Sequence, residues 1–374
     1  MKLGVDARVL AERPTGVARY LEGVLGALAP HRTATETIEL FLDRAPPRDL
    51  SALADRVTVL RPWLPGGDPV WRQTRLAAHL MRRRPDLLFC PFYSAPLAAS
   101  GPTVVTVHDV SFAAHPEWFT PKARLAFAFS GPSARRAARV LTVSRFSADE
   151  IVRWLGVPAA RIEVVPLAVD ASWQRPVEPD ERAATRALVG SDEPYVLHLG
   201  AVHARRHVDS LLRGFAALGP RFAKHRVVIA GPAVAPAPDV DAVARELALE
   251  GRVVRLPWVD ERLLRGLIAE AGALAYLSSY EGFGLPALEA AALGTPVVAL
   301  RRASLPEVLG DAAAWIEDVE PATVAAALAA VLDDPTAAAE LSRRGRARAA
   351  EFSWNETGRR TLEVLRDAAS GGRG

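Results

Sequence analysis

Two glutamates, Glu281 and Glu289, bracket the stretch Glu281-Gly-Phe-Gly-Leu-Pro286. A glycine-containing turn that runs into a helix presents backbone N–H groups without intrahelical acceptors, at the positive end of the helix dipole. Such a turn favours phosphate. Carboxylates on either side of it accept hydrogen bonds from hydroxyls, so the constellation reads as a phosphate donor held beside ribose or sugar. Two further positions could bear on chemistry. His108 follows the β-branched run Thr103-Val-Val-Thr-Val107, and ligands of open α/β sheets gather beyond the carboxyl ends of strands. A hydrogen-bonded structural histidine is its other reading. Gly16 stands where a loop over 7–16 becomes a helix over 17–28, where glycine allows close backbone approach to a ligand. A plain turn explains Thr15-Gly16 equally well.

The elements that must position these residues follow from local pattern. Residues 273–277 read as a short buried strand and 278–285 as a loop. Pro286 suits the first position of a helix that ends near Leu293, with Gly294 as its left-handed stop, before a strand over 295–300. Upstream, strands are expected at 195–199, 226–230 and 253–256, with a helix between each pair. The first half repeats the pattern, with strands at 2–6, 37–42, 57–60, 87–90, 103–107 and 140–144 and a helix over 69–83. Ser147 and Glu150 fit a capping box at the start of the next helix. Strand–helix alternation demands parallel sheets covered by helices on both faces. The expected organisation is a first domain over 1–172, a linker over 173–193 with one short helix, and a second domain over 194–352. A last segment, 353–374, carries a helix over 355–369 and a flexible tail.

Length and composition agree with two cores. At 374 residues, 50% hydrophobic and 24% charged, the chain exceeds the size at which one core stops growing and is ordinary for globular proteins. Its one cysteine, Cys90, follows an apolar run, which argues for an inert buried thiol and a reducing, cytoplasmic setting. Neither a signal peptide nor a membrane-spanning apolar run is evident. Formal charge is only +3, yet basic residues clump in the first half at Arg82, Arg83, Arg84, Lys122, Arg124, Arg135, Arg136 and Arg139. Solvated helix faces are one reading, and a patch docking peripherally on the anionic inner membrane is another. Nucleic acid is not expected as a partner, because no recognised motif accompanies the charge. Asp239-Val-Asp241 has the form of a metal-binding D-x-D, but it opens a helix, where a capping role is expected. No other cluster has metal-ligand spacing.

The block S-x-Y-E-G-F-G-L-P-x-L-E-A-x-A-x-G-T-P-V-V over 278–298 resembles the signature of retaining GT-B glycosyltransferases of the glycogen-synthase-like family 4. The resemblance covers nearly the whole chain and is strongest over 195–310. It implies two Rossmann-like domains facing across a cleft, a last helix crossing back to the first domain, and closure that excludes water. Arg205 and Arg206 match the basic pair that grips the donor diphosphate, with Arg206 where lysine is usual; His203 and His207 depart from the common residues. By the same resemblance Gly200, Gly282, Phe283, Gly284 and Leu285 belong to the donor site, with the N–H groups of 283–285 on the diphosphate, and Glu289 takes the ribose hydroxyls. Glu281 would hold hydroxyls of the transferred sugar, and His108 would touch that sugar or the reaction centre. Gly16, with Arg19 nearby, is carried over to the diphosphate or acceptor. Pro257-Trp258-Val259 falls where relatives hold the nucleotide base; Trp258 either stacks on the base or fills the core. Leu167-Ala168 departs from the family's usual Asn-Gly, so no polar role is expected there.

The stretches 108–119 and Ser304-Leu-Pro-Glu-Val308 look most like mannosyltransferases. The expected function is therefore metal-independent, retaining transfer of a hexose, first mannose from GDP-mannose, to a glycan or lipid-linked acceptor of bacterial surface polysaccharide. UDP-glucose and UDP-N-acetylglucosamine are alternative donors. A GT-B sugar-nucleotide epimerase and a non-catalytic sugar-nucleotide-binding protein are the alternatives from other classes.

Overall fold

The computed structural model describes residues 1–11, 16–64 and 67–371; Thr15, part of the first-loop motif, lies outside them. The chain divides into two compact units, Met1–Ala168 with Ser353–Gly374, and Val169–Phe352.

The first unit is built on seven strands: β1 (Lys2–Asp6), β2 (Thr37–Leu42), β3 (Arg56–Val59), β4 (Leu87–Cys90), β5 (Thr103–Thr106), β6 (Arg139–Thr142) and β7 (Ile162–Val164). All neighbours pair in parallel, in the order β3-β2-β1-β4-β5-β6-β7. β4 and β5 are buried along their whole length, as strands covered on both faces must be, and both read as unbroken apolar or β-branched runs. The expected helix over 69–83 forms with an internal π-helical segment, Arg72–Leu76. The helix Arg145–Leu155 is capped by Ser144, whose Oγ accepts from the Ser147 N–H at 3.0 Å. The expected capping box is thus displaced, and the Ser147 hydroxyl instead donates to the His108 carbonyl at 3.0 Å.

The last helix, Trp354–Gly371, belongs to this first unit. Gly358 packs so tightly that a Cβ there would lie 2.4 Å from the Ala27 carbonyl oxygen. Thr357 donates to the Pro166 carbonyl at 2.8 Å, and Arg366 grips Glu36 in bidentate fashion at 2.9 and 2.8 Å. These contacts tie the chain's end to its beginning.

The second unit has six parallel strands: β8 (Tyr195–Leu199), β9 (Arg226–Ala230), β10 (Val253–Leu256), β11 (Ala273–Tyr276), β12 (Val297–Leu300) and β13 (Ala314–Ile316), in the order β10-β9-β8-β11-β12-β13. β13 is too short and too interrupted by alanine to stand out in the sequence. The segment expected as a linker carries an eleven-residue helix, Pro179–Val189, within this unit. Its Arg186 pairs with Glu270 at 3.0 Å, so tertiary contacts recruit charges that locally read as linker composition.

In both sheets the strand order reverses beside the first strand, between β1 and β4 and between β8 and β11. Loops leaving adjacent strands in opposite directions open a crevice at such a switch point.

Candidate functional site

The loops that follow β8 and β11 meet at the switch point of the second sheet. Gly200 leaves β8 with φ 113°, and a Cβ there would lie 1.8 Å from Arg206 Nη1. Only glycine lets the Arg206 guanidinium lie across the strand end. Ala204–Arg206 then forms a single 3₁₀ turn, in which the His203 side chain accepts from the Arg205 N–H at 3.3 Å. The Ser279 N–H donates to the Arg205 carbonyl at 2.9 Å, and His207 Nε2 meets the Ser279 hydroxyl, so the two loops are latched together.

Glu281 sits at the centre and is only 8% exposed. Its Oε1 lies 3.0 Å from Arg205 Nη1 and 3.2 Å from Arg206 Nη2. Burial pushes the carboxyl up, but the two guanidiniums, with hydrogen bonds from Ser278 and Arg205, outweigh it and hold the group at about 2. Glu281 is therefore an anion at any physiological pH. The Glu281 carbonyl accepts from the buried Ser304 hydroxyl at 2.8 Å, which gives the 304–308 stretch a local purpose.

Behind this triad stand two side chains that the sequence did not single out. Tyr276, at the end of β11, is buried with its ring 5.9 Å from the Arg206 guanidinium carbon. His198, in β8, is also buried; burial and then the Arg206 charge depress its pKa to about 3, so the imidazole is neutral. Among the described residues, His198 Nε2, Arg206 Nε and Arg206 Nη1 are buried without a hydrogen-bond partner. Unpaired buried polar atoms are rare in native proteins, and several around one charged triad mark a place where a ligand completes the bonding. The one local signal for both is a polar ring in an otherwise apolar strand, which does not say what that ring backs.

The glycine loop leads into the helix Leu285–Leu293, with Gly284 at its N-cap, Pro286 in its first turn and Gly294 at its C-cap. Gly282, Phe283, Gly284 and Leu285 thus precede or open the helix, and the first amides of any helix lack intrahelical acceptors. Phe283 is buried edge-on against Phe352 at 5.6 Å, which fixes the loop. Glu289 is 2% exposed on a helix otherwise lined with alanine and leucine. A carboxylate in such a wall needs polar partners. Trp258 is 69% exposed, with Val259 half-buried beside it, so Trp258 does not fill the core. Asp239 and Asp260 cap their helices by accepting from the Ala242 and Arg262 amides at 3.0 and 2.9 Å. Asp241 pairs with Arg255 at 3.1 Å. Among the described residues no group of three His, Cys, Asp or Glu side chains is arranged to hold a metal.

In the first unit, His108 lies just beyond β5. Its Nε2 is 3.0 Å from the Pro91 carbonyl, Tyr20 meets its ring edge-on at 4.7 Å, and burial keeps its pKa below the ordinary imidazole value. Gly16 opens the helix Gly16–Leu28, and a Cβ there would meet nothing among the described residues, so their packing does not require glycine. His115 stacks on Trp118 at 3.9 Å and lies 3.1 Å from Glu117. Cys90 is a buried free thiol, pushed well above its usual pKa by burial.

Residues 181–348 match the family model of the group 1 glycosyl transferases, and residues 14–173 match that of glycosyltransferase family 4. The chain is 31% identical to the MMP alpha-(1->4)-mannosyltransferase of Mycolicibacterium hassiacum, over 98% of this chain and 91% of that protein. It is also 31% identical to the O-antigen chain mannosyltransferase B of Escherichia coli, over 70% of each chain. The structure of Anabaena Alr3699/HepE in complex with UDP and glucose superposes with a TM-score of 0.76 at 21% identity, covering 98% of this chain and 99% of that one. Matches to both family models and a full-length relative at this identity establish that the chain belongs to glycosyltransferase family 4, on the GT-B fold.

Proposed function

We propose that the protein is a cytoplasmic, retaining hexosyltransferase. It moves mannose from GDP-mannose to a glycan or lipid-linked acceptor in the synthesis of bacterial surface polysaccharide. The observation that carries this reading is the buried Glu281–Arg205–Arg206 triad beside a glycine loop at the switch point of the second sheet. Two guanidiniums and the helix-opening amides suit a diphosphate, and charge-assisted hydrogen bonds of this kind are the strong ones. On donor arrival Arg205 and Arg206 turn part of their hydrogen bonding from Glu281 to the diphosphate, and Glu281 accepts from hydroxyls of the sugar. Glu289 takes the ribose hydroxyls and exposed Trp258, with Val259, the base. From the first unit, His108 serves the transferred sugar, and Gly16 the diphosphate or acceptor.

In the transfer the bond from the sugar's anomeric carbon to the diphosphate oxygen breaks, and a bond to the acceptor oxygen forms on the same face. The acceptor's proton passes to the departing phosphate. Charge on that phosphate is met by fixed guanidiniums and amides, the electrostatic preorganisation that dominates such reactions, so no metal is needed. Basic residues of the first unit bring the enzyme to the inner membrane, where lipid-linked acceptors reside.

Mannose is favoured because two relatives are named mannosyltransferases. A UDP-glucose donor is the second reading, favoured by the UDP and glucose in the HepE complex. A thermal-shift panel of GDP, UDP, ADP, GDP-mannose and UDP-glucose, each with and without EDTA, separates them. The expected result is a selective, EDTA-insensitive rise with GDP and GDP-mannose. A selective UDP response would transfer the proposal to the second donor, loss of the shift in EDTA would end metal independence, and silence throughout would remove the donor site.

A further inference from the structure

The basic clump of the first half does not form one patch. Arg135 donates to the Leu155 carbonyl at 2.9 Å and its own carbonyl accepts from Arg161 at 2.8 Å, so it is committed to structure. Lys122 and Arg124 lie exposed on the helix Pro121–Ala126. Arg84, Arg136 and Arg139 instead line a single pocket of about 450 Å³ with Gly101, Ala138 and Asp367.

Topology sets this pocket apart from any sugar or nucleotide site. Arg84 precedes β4, Gly101 precedes β5 and Arg139 begins β6, and the three strands are parallel. The pocket therefore lies at the amino ends of the strands, whereas His108 and the switch-point loops lie at the carboxyl ends. The last turns of the helix Trp354–Gly371 supply its other wall. Gly101 adopts φ 130°, and a Cβ there would lie 2.6 Å from Arg84 Nε, so glycine is what lets this guanidinium swing over the chain.

Charge is the second observation. Three arginines and a single carboxylate residue, Asp367, line the pocket, and among the described residues none of the three arginines forms an ion pair. Among the described residues Arg139 donates only to the carbonyl of neighbouring Ala138, at 3.0 Å. Offsetting helix carboxyl ends accounts for Arg136, in the last turn of Ser130–Arg136, but not for Arg84 or Arg139, which lie outside helices. Planar guanidinium forks match phosphate oxygens in bidentate geometry. The volume exceeds what a bare phosphate fills and falls within the range of small-molecule sites.

We propose that this pocket is a second ligand site, at the amino edge of the first sheet, for an organic phosphate: a compact phosphomonoester or phosphodiester held by Arg84, Arg136 and Arg139. The ligand is either a soluble phosphorylated metabolite or the headgroup of an anionic lipid. The site is independent of the transferase reading, since it shares no residue with the proposed donor site.

Two probes distinguish the sources, applied to the full chain, Arg84→Gln/Arg139→Gln, Arg136→Glu, and a control, Lys122→Gln/Arg124→Gln. Calorimetric titration with sn-glycerol 3-phosphate tests the soluble source, repeated on Arg206→Ala to set aside donor-site binding. Co-sedimentation with phosphatidylcholine vesicles, with and without phosphatidylglycerol, tests the headgroup. Saturable binding of one phosphate per chain, kept in Arg206→Ala and weakened at least about tenfold by either pocket variant, assigns a soluble ligand. Phosphatidylglycerol-dependent sedimentation lost in the pocket variants and kept in the control assigns a headgroup. Binding of neither probe, or equal losses in pocket variants and control, overturns the proposal. Arg84 and Arg136 are exposed and Arg139 is half-buried, and Arg136→Glu alone suffices if the double variant does not fold.

Discussion

Single side chains carry most of the chemistry, and Glu281 shows how. Its carboxyl is buried, yet two guanidiniums hold it ionised at about 2. Neutralising it removes the partner of two buried cations and an acceptor for donor hydroxyls. Glu281→Gln is expected to lower turnover by roughly a hundredfold or more, the size typical of one preorganised polar contact to a transition state. Affinity for the free nucleoside diphosphate should stay within about threefold, since the phosphate ligands remain. Steady-state rates with the donor found by the thermal-shift panel, together with nucleotide titration, check both halves. Unchanged turnover would take Glu281 out of the reaction. The two motif glutamates and the arginine pair were legible from identity and spacing alone. Tyr276 and His198 were not, because nothing local says that a strand residue backs a guanidinium from a different loop.

Among elements, the last helix makes the clearest case for tertiary control. Arg366 holds Glu36 by paired hydrogen bonds, and these, with the adjacent charge, lower the Glu36 carboxyl to about 2 from an ordinary 4.5. A carboxyl depressed in the folded state stabilises above its unfolded pKa, and that stabilisation fades as pH falls through the folded value. Arg366→Gln is therefore expected to lower Tm by about 2 °C or more at pH 7, a modest figure because the arginine is partly exposed. Melting curves from pH 7 to pH 2 should show that difference begin to shrink near 4.5 and vanish toward 2. A difference constant with pH would mean that the helix docks through packing at Gly358 alone. The helix itself was evident from its sequence; its charged partner, 330 residues away, was not.

At the scale of the molecule, the two units are unequal in how the chain builds them. Val169–Phe352 is one continuous stretch with its own core, whereas the first unit needs Ser353–Gly374 to complete it. Residues 169–352 expressed alone should give a cooperative melt and retain the nucleotide response of the full chain. Residues 1–168 alone should melt without cooperativity, because the helix that covers Gly23 and Ala27 is missing. Calorimetry on both fragments checks this, and a cooperative transition in 1–168 would show that the last helix is dispensable.

Sequence alone determined the parallel α/β class, most strand positions and the acid–glycine–helix block, because period, turn residues and caps act over a few neighbours. It also held the family, since many fixed positions recur together. Only tertiary structure decided that 173–193 folds into the second unit, that β13 completes a sheet and that Ser144 rather than Ser147 caps its helix. The same holds for the two arginine clusters, one around Glu281 and one at the amino edge of the first sheet. Most of these outcomes turn on contacts between residues distant in the chain; even at the Ser144 cap, a local bond, the Ser147 hydroxyl is taken by the distant His108 carbonyl. Local pattern does not encode which distant partner burial will supply.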